Sequence, residues 1–232
     1  VVIASAVRTA IGDFLGSLAA LSPCELGTLV AREAISRAGI APDVVQQTVF
    51  GHVIDTTPED MYLSRVVAIG AGVPETAPAL TLNRLCGSGL QAVVTAAEQI
   101  LLGNAEVVLA GGAESMSRTG HLLSVRTGAK MGDVKAIDMM LGALTDPFGK
   151  IHMGVTAENV ATRYDIDRAA QDAFAFESHR RAAAAIQAGL FRAQILPVTI
   201  TQNRKEVVFD TDEHVRSDVS LDDLAKLRPA FS

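Results

Sequence analysis

The sequence predicts a layered α/β protein in which a mostly parallel sheet is covered by helices. The 232 residues are 49% hydrophobic, with 19 glycines and no tryptophan, a composition typical of tightly packed α/β domains. Short apolar runs alternate with segments of helical periodicity. The strand-like runs are apolar on both faces, which indicates parallel strands buried between two layers of helices.

The elements of the first half follow one another with clear boundary signals. In "SPCELGTLVAREAISRAGI" (22–40), Ser22 and Glu25 have the spacing of a capping box, Pro23 fits the first helical position, and Gly39 fits the stop. Up to residue 115 the pattern therefore predicts one α/β domain. The predicted strands are "VVIASAV" (1–7), "QTVFGHVI" (47–54), "APALTL" (77–82) and "AEVVLAGG" (105–112), and the other predicted helices are "YLSRVVAIGAGV" (62–73) and "GLQAVVTAAEQILLG" (89–103).

The second half begins with an irregular stretch, residues 116–155, that is rich in glycine and methionine. So long a stretch without periodicity indicates a functional loop region, and we interpret residues 116–232 as a loop subdomain inserted over the sheet. Two helices and two strands are predicted within it: "TAENVATRY" (156–164), "RAAQDAFAFESHRRAAAAIQAGLF" (168–191), "ILPVTI" (195–200) and "EVVFDTD" (206–212).

Composition excludes several classes of function. A formal net charge of −6 argues against a general nucleic-acid binder. The two cysteines form no disulfide framework, and no His, Cys or acidic cluster has metal-ligand spacing, so we predict no metal site. No apolar run reaches the length of a membrane span. We expect a soluble, cytoplasmic protein with no membrane partner.

Cys86, in "NRLCGSGLQA" (83–92), lies where a predicted strand ends and a predicted helix begins. Backbone N–H groups converge at such junctions, and the positive end of a helix favours thiolate over thiol. Gly87 and Gly89 would let a substrate carbonyl approach the sulfur closely. Position alone leaves two readings open, a reactive nucleophile or a buried structural cysteine. Cys24, in the first turn of its helix, is interpreted as a small packed side chain.

Four long motifs occur in an order that spans nearly the whole chain: "VRTAIGDFLGSL", "NRLCGSGLQAVVTAAEQILLGNAEVVLAGGAESMSR", "DPFGKIHMGVTAENVA" and "DEHVRSDVSLDDLAKLRPAF". With these motifs the chain closely resembles the N-terminal half of the thiolases, the acetyl-CoA acetyltransferase and 3-ketoacyl-CoA thiolase family. The resemblance implies a layered thiolase-like fold. It also implies that Cys86 attacks a thioester and carries the acyl group, so that 3-ketoacyl-CoA is made or cleaved.

The resemblance further implies a coenzyme A (CoA) site and no bound cofactor, since CoA thioesters are the substrates. His152 and Met153 match residues beside the pantetheine, Leu144 matches a residue lining the same site, and Arg216 matches a contact to the adenine end. Asp223 stands where the family has a serine, which puts that contact in question. An acid there must point away or bond the adenine or ribose portion.

Other family features have no match in this chain. A histidine in a "GHP"-type motif and a cysteine in a "CxG"-type motif lie in the family's later portion, so we expect residues 1–232 alone to be inactive. The resemblance implies a homo-oligomer, a tetramer joined through residues 116–135. A non-catalytic CoA-binding fragment or scaffold is the alternative, and a condensing enzyme for acyl-carrier-protein substrates is a third reading that "HMGVTAENVA" and "LRPAF" disfavour.

Overall fold

The structure, a computed structural model, describes residues 1–126, 128, 130–202 and 204–231. Its strands and helices alternate through the first half, as the sequence predicts. The strands are β1 (Arg8–Thr9), β2 (Gln47–Gly51), β3 (Ala79–Leu82), β4 (Val108–Gly112), β5 (His121–Leu123), β6 (Ala136–Asp138), β7 (Ile195–Leu196), β8 (Val198–Gln202) and β9 (Lys205–Phe209). The helices are α1 (Pro23–Arg37), α2 (Leu63–Gly70), α3 (Ser88–Leu101), α4 (Met139–Ala143), α5 (Met153–Arg163), α6 (Arg168–Gln187) and α7 (Leu221–Ala225).

A three-stranded parallel sheet of order β3-β2-β4 forms the centre of the first half. Successive strand residues point to opposite faces. Phe50 belongs to the main core cluster together with side chains of α1 and α2, whereas Gly51 lies against Ser88 at the start of α3. Helices therefore cover both faces of this sheet, and the predicted layered α/β architecture is confirmed.

Helix α1 shows how closely local signals determined the predicted elements. The Ser22 side chain accepts a hydrogen bond from the Glu25 N–H while the Glu25 carboxylate accepts one from the Ser22 N–H. Gly39 follows the helix with a φ of +68°, a conformation that favours glycine. The capping box and the glycine stop are thus both confirmed.

The first predicted strand, residues 1–7, is wrong over its whole length. Residues 1–7 pair with no strand among the described residues, and Val1, Val2 and Ile3 are largely exposed. Only Arg8–Thr9 pairs, in parallel, with β7. An extended apolar segment becomes a strand only where a partner supplies hydrogen bonds along it, and local sequence does not specify that partner.

The second half contains more regular structure than the sequence indicates. Strands β5 and β6 pair antiparallel within the stretch 116–155, α4 follows β6 directly, and α7 was not predicted. Pro197 divides the predicted strand 195–200 into β7 and β8, because proline has no N–H to give to a ladder. Strand β8 then pairs antiparallel with β9.

The second half also contacts the first. Strand β7 pairs with β1, and Val198 and Ile200 of β8 form a second core cluster with Leu18 and Leu26. The division of the chain at residue 115 stays a prediction. In the part of the chain that the structure describes, no helix is both long and apolar enough to cross a lipid bilayer.

Candidate active site

Cys86 lies on the loop that joins β3 to α3 and is exposed. Its neighbour Ser88 fixes this loop: the Ser88 hydroxyl accepts a hydrogen bond from the Arg84 N–H (2.8 Å) and donates one to the Leu85 carbonyl (2.6 Å). Leu85 takes a positive φ of 48°, a conformation that costs a non-glycine residue energy. The chain therefore turns sharply before Cys86, and a buried serine holds the turn closed.

Glycines at the ends of two strands bring α3 close to the sheet. A Cβ on Gly51 would lie 2.5 Å from the Ser88 backbone carbon, and a Cβ on Gly112 would lie 3.4 Å from the Gly89 Cα. The 2.5 Å distance leaves no room for a side chain at Gly51, and the 3.4 Å distance at Gly112 is an ordinary van der Waals contact. The first turn of α3, and with it the Cys86 loop, is seated directly on the carboxyl edge of the parallel sheet.

No side chain of the described residues caps the N-terminus of α3, which begins after Gly87. The N–H groups of a helix's first turn have no partners within the helix and carry a partial positive charge. Cys86 precedes this turn by two residues. The arrangement places a thiol near the positive end of α3, while the Gly87 and Ser88 N–H groups donate to the Arg84 and Leu85 carbonyls of the turn.

Cys24 lies in a quite different environment. It is buried in α1, and its Sγ donates to Asp60 Oδ1 at 3.4 Å. Burial, reinforced by this bond, raises the pKa of Cys24 to about 12. Burial also raises the pKa of Asp60, but hydrogen bonds from Thr56 and Thr57 outweigh it and lower the pKa overall. Cys24 is therefore a packed, unreactive thiol.

A polar cluster formed by His52 and Glu114, which was not predicted from the sequence, lies at the same sheet edge. His52 Nδ1 donates to the Ala113 carbonyl at 2.8 Å, since a carbonyl only accepts. The Glu114 carboxylate accepts from the N–H groups of Val53 and Ile54, and burial raises its pKa above the usual range. The cluster ties the end of β2 to the end of β4. The sequence pattern that could have indicated this cluster is a polar residue shortly after each of two apolar strands.

Three of the predicted CoA residues lie where α4 ends and α5 begins: Leu144, His152 and Met153. The Met153 N–H donates to the Leu144 carbonyl at 2.8 Å. His152 caps α5, because its Nδ1 accepts from the Gly154 N–H at 3.0 Å, and its ring stacks on Phe231 with centroids 4.9 Å apart. Met153 is 43% exposed.

The other two predicted CoA residues lie further along the chain. Arg216 is exposed and its backbone N–H donates to His179 Nδ1 on α6 at 3.1 Å. The Asp223 carboxylate accepts from the Ser220 hydroxyl and pairs with Lys226 at 3.4 Å, and the Ser220 bond lowers its pKa. The Asp223 charge is thus engaged locally, at the start of α7.

These residues share one region of the molecule. Arg168 of α6 donates to the carbonyls of Leu224 in α7 and Leu227 just after it, and the Phe231 ring further along the chain stacks on His152. Among the described residues, no hydrogen bond or ring contact joins Cys86 to this region. Nor do three or more His, Cys, Asp or Glu side chains in the described part of the chain form a group able to hold a metal ion.

A parallel sheet covered by helices, with an exposed cysteine at a strand-to-helix junction, defines the class: an α/β protein with a candidate nucleophile at the carboxyl edge of its sheet. The family model for the thiolase N-terminal domain matches residues 1–232. The chain belongs to the thiolase family.

Individual relatives agree. The chain is 61% identical to beta-ketothiolase BktB of Cupriavidus necator over 232 residues, which are 100% of this chain and 59% of the relative. The Bacillus anthracis acetyl-CoA acetyltransferase structure is 43% identical with a TM-score of 0.95, over 100% of this chain and 59% of that one. Human mitochondrial 3-ketoacyl-CoA thiolase, solved in complex with CoA, is 36% identical with a TM-score of 0.93, over 99% and 57%. The chain spans less than two thirds of these relatives.

Proposed function

We propose that the protein makes or cleaves 3-ketoacyl-CoA by acyl transfer through an acyl-enzyme on Cys86. The observation that carries this proposal is the placement of Cys86, exposed on a braced loop before the uncapped N-terminus of α3. The family and the names of the relatives, a beta-ketothiolase and an acetyl-CoA acetyltransferase, support the reaction class.

In the cleavage direction, the Cys86 sulfur attacks the keto carbon of 3-ketoacyl-CoA and forms a carbon–sulfur bond. The bond between that carbon and the adjacent CH₂ breaks, its electron pair stays on the departing acetyl-CoA carbon, and the proton given up by the Cys86 thiol is transferred to that carbon. Free CoA then loses its thiol proton and attacks the acyl-enzyme, and the Cys86 sulfur leaves and takes up that proton. Two steps of moderate difficulty replace one difficult step. Synthesis is the same sequence reversed.

Binding of CoA is proposed at Leu144, His152, Met153, Arg216 and Asp223. The first three lie together, and exposed Met153 offers an adaptable apolar surface to the pantetheine chain. Exposed Arg216 suits the anionic end, where a guanidinium pairs well with phosphate. Asp223 has its charge engaged by Ser220 and Lys226, which favours contact with the neutral adenine or ribose part. No further cofactor is proposed.

The assembly proposed is a cytoplasmic homotetramer joined through residues 116–135. Exposed apolar side chains in this stretch support an interface: Met116, Leu122, Leu123, Val125, Met131 and Val134. Light scattering on the full-length protein tests the assembly, and a monomer at micromolar concentration would refute it.

Replacing Cys86 by Ala tests the covalent mechanism. Cys86→Ala is expected to abolish both directions while leaving the melting temperature unchanged, because the side chain is exposed. Cys24→Ala, the matched control, retains activity. Turnover by Cys86→Ala would refute the acyl-enzyme. CoA binding without turnover in the unmodified full-length protein would instead identify a non-catalytic CoA-binding scaffold. We expect residues 1–232 alone to show no multiple turnovers.

A further inference from the structure

The segment 212–216, "DEHVR", is fastened to the rest of the protein at each end by a different kind of bond. Asp212 makes two hydrogen bonds to the Arg8 guanidinium, at 2.7 and 2.9 Å. Glu213 accepts from the N–H groups of Asp13 and Ser17. The first end of the segment is therefore anchored through side-chain carboxylates.

Arg216, at the other end, is held through its backbone. Its N–H donates to Nδ1 of His179, a half-buried residue of α6, at 3.1 Å. The guanidinium of Arg216 forms no ion pair with any residue that the structure describes. His179 thus fixes where the Arg216 main chain lies, while the Arg216 side chain stays available to a ligand.

This bond determines which ring nitrogen of neutral His179 carries the proton. A backbone amide only donates, so Nδ1 must accept and cannot carry a proton. The proton of the neutral ring is then on Nε2. If Nδ1 also gains a proton, two N–H groups point at each other and the bond is lost. Histidine is the side chain whose charge ordinarily changes between about pH 5 and 8.

We propose that His179 is a positioning residue for Arg216, and that protonation of His179 weakens CoA binding by releasing the main chain at Arg216. This inference rests on the proposed function, in which Arg216 contacts the adenine end of CoA. One neutral hydrogen bond is worth about a two- to tenfold change in affinity.

The charged side chains near His179 are paired with one another. The ring of His214 lies 6.2 Å from that of His179, and its Nδ1 pairs with Asp13 at 2.6 Å. On α6, Glu177 is engaged by both Arg180 and Arg181. The structure thus places His214 and the Arg216 main chain beside His179, Asp13 on His214, and Glu177, Arg180 and Arg181 within two residues of His179 along α6.

The experiment compares CoA binding at about pH 8 and about pH 5.5 by titration calorimetry on the full-length protein. In His179→Asn, the amide oxygen takes the place of Nδ1 and accepts at every pH. In His179→Ala, no acceptor is present at either pH. The phosphates of CoA also titrate in this range, but they do so equally for all variants, so the ratio to His179→Asn removes their effect.

We expect the unmodified protein to lose about two- to tenfold more affinity than His179→Asn on acidification. His179→Ala is expected to bind weakly at both pH values, and His179→Asn to restore binding. In an Arg216→Ala background, His179→Ala should have no further effect, since it acts through Arg216.

Equal pH dependence in the unmodified protein and His179→Asn would overturn the inference and leave the CoA site standing. If His179→Ala lowers CoA affinity as much in the Arg216→Ala background as in the unmodified protein, the inference is also overturned. His179 would then have a general structural role that does not act through Arg216. No CoA binding by the unmodified protein at either pH would overturn the proposed function, and the His179 inference with it. Melting temperatures of all variants at both pH values show that each is folded.

Discussion

The contrast between the two cysteines predicts strongly selective alkylation. With a pKa of about 12, only about one Cys24 in ten thousand is thiolate at about pH 8. An ordinary free thiol, with a pKa of about 8.5, is about one quarter thiolate there. The thiolate fractions therefore differ by more than about a thousandfold.

Nucleophilicity reduces this difference without removing it. A thiolate of higher pKa reacts faster, with a Brønsted coefficient of about 0.45. The thiolate of Cys24 is therefore roughly 40-fold more reactive than that of an ordinary thiol. Relative to an ordinary thiol, Cys24 is thus roughly 60-fold less reactive from ionisation and nucleophilicity together. Burial of Cys24 adds to this difference, because the reagent must reach the sulfur. We expect at least this selectivity in the folded protein.

The assay treats the folded protein with less than one equivalent of iodoacetamide and maps adducts by mass spectrometry. Trypsin separates the two sites, because Cys24 lies between Arg8 and Arg32 whereas Cys86 lies between Arg84 and Arg118. Protein unfolded in guanidinium chloride is the control and should label both cysteines alike. Comparable labelling of Cys24 and Cys86 in the folded protein would refute the reasoning.

Three further predictions concern Asp60 beside Cys24, and Gly51 and Ser88 in the frame around Cys86. Asp60→Asn should lower the free energy of unfolding by about 1–3 kcal/mol. Because the pKa of Asp60 is lowered on folding, its contribution is present above its unfolded pKa of about 3.9 and is lost as the pH falls through the folded value. In chemical denaturation, the free energy of unfolding should thus fall less on acidification for Asp60→Asn than for the unmodified protein. Asp43→Asn, at an exposed position, is the neutral control. Gly51→Ala should destabilise the protein by about 3 kcal/mol, because the new methyl group meets the Ser88 backbone. Gly142→Ala, which has open space around it, is the control and should not destabilise. Similar melting curves for the two variants would contradict the close contact of α3 with the sheet. Ser88→Ala should reduce kcat about tenfold with little change in KM for CoA, because it loosens the loop before Cys86 and leaves the CoA region unchanged. An unchanged kcat would contradict the role of the Ser88 hydrogen bonds in positioning Cys86.

The sequence predicted the elements whose signals are local. Helix α1 carries its own start and stop in Ser22, Glu25 and Gly39, and the structure shows each signal in use. The strands of the central sheet were predicted because both of their faces are apolar, a property that a short window of sequence contains. The junction that presents Cys86 followed from the order of these elements.

Pairings between distant segments could not be predicted in the same way. The fate of residues 1–7 depended on a partner strand, and only Arg8–Thr9 found one, nearly two hundred residues away in β7. The tie between His52 and Glu114 and the bond from Arg216 to His179 also join residues far apart in sequence. No local pattern records such contacts.

The sequence by itself determined the local elements of this protein, the layered α/β class and the position of Cys86 at the junction between a strand and the N-terminus of an α-helix. Only the tertiary structure decided that Cys86 is exposed while Cys24 is buried against Asp60, and that His179 holds the main chain of Arg216. The reason is physical. Periodicity and caps act over a few residues, whereas burial, pKa and long-range hydrogen bonds depend on which segments the fold brings together.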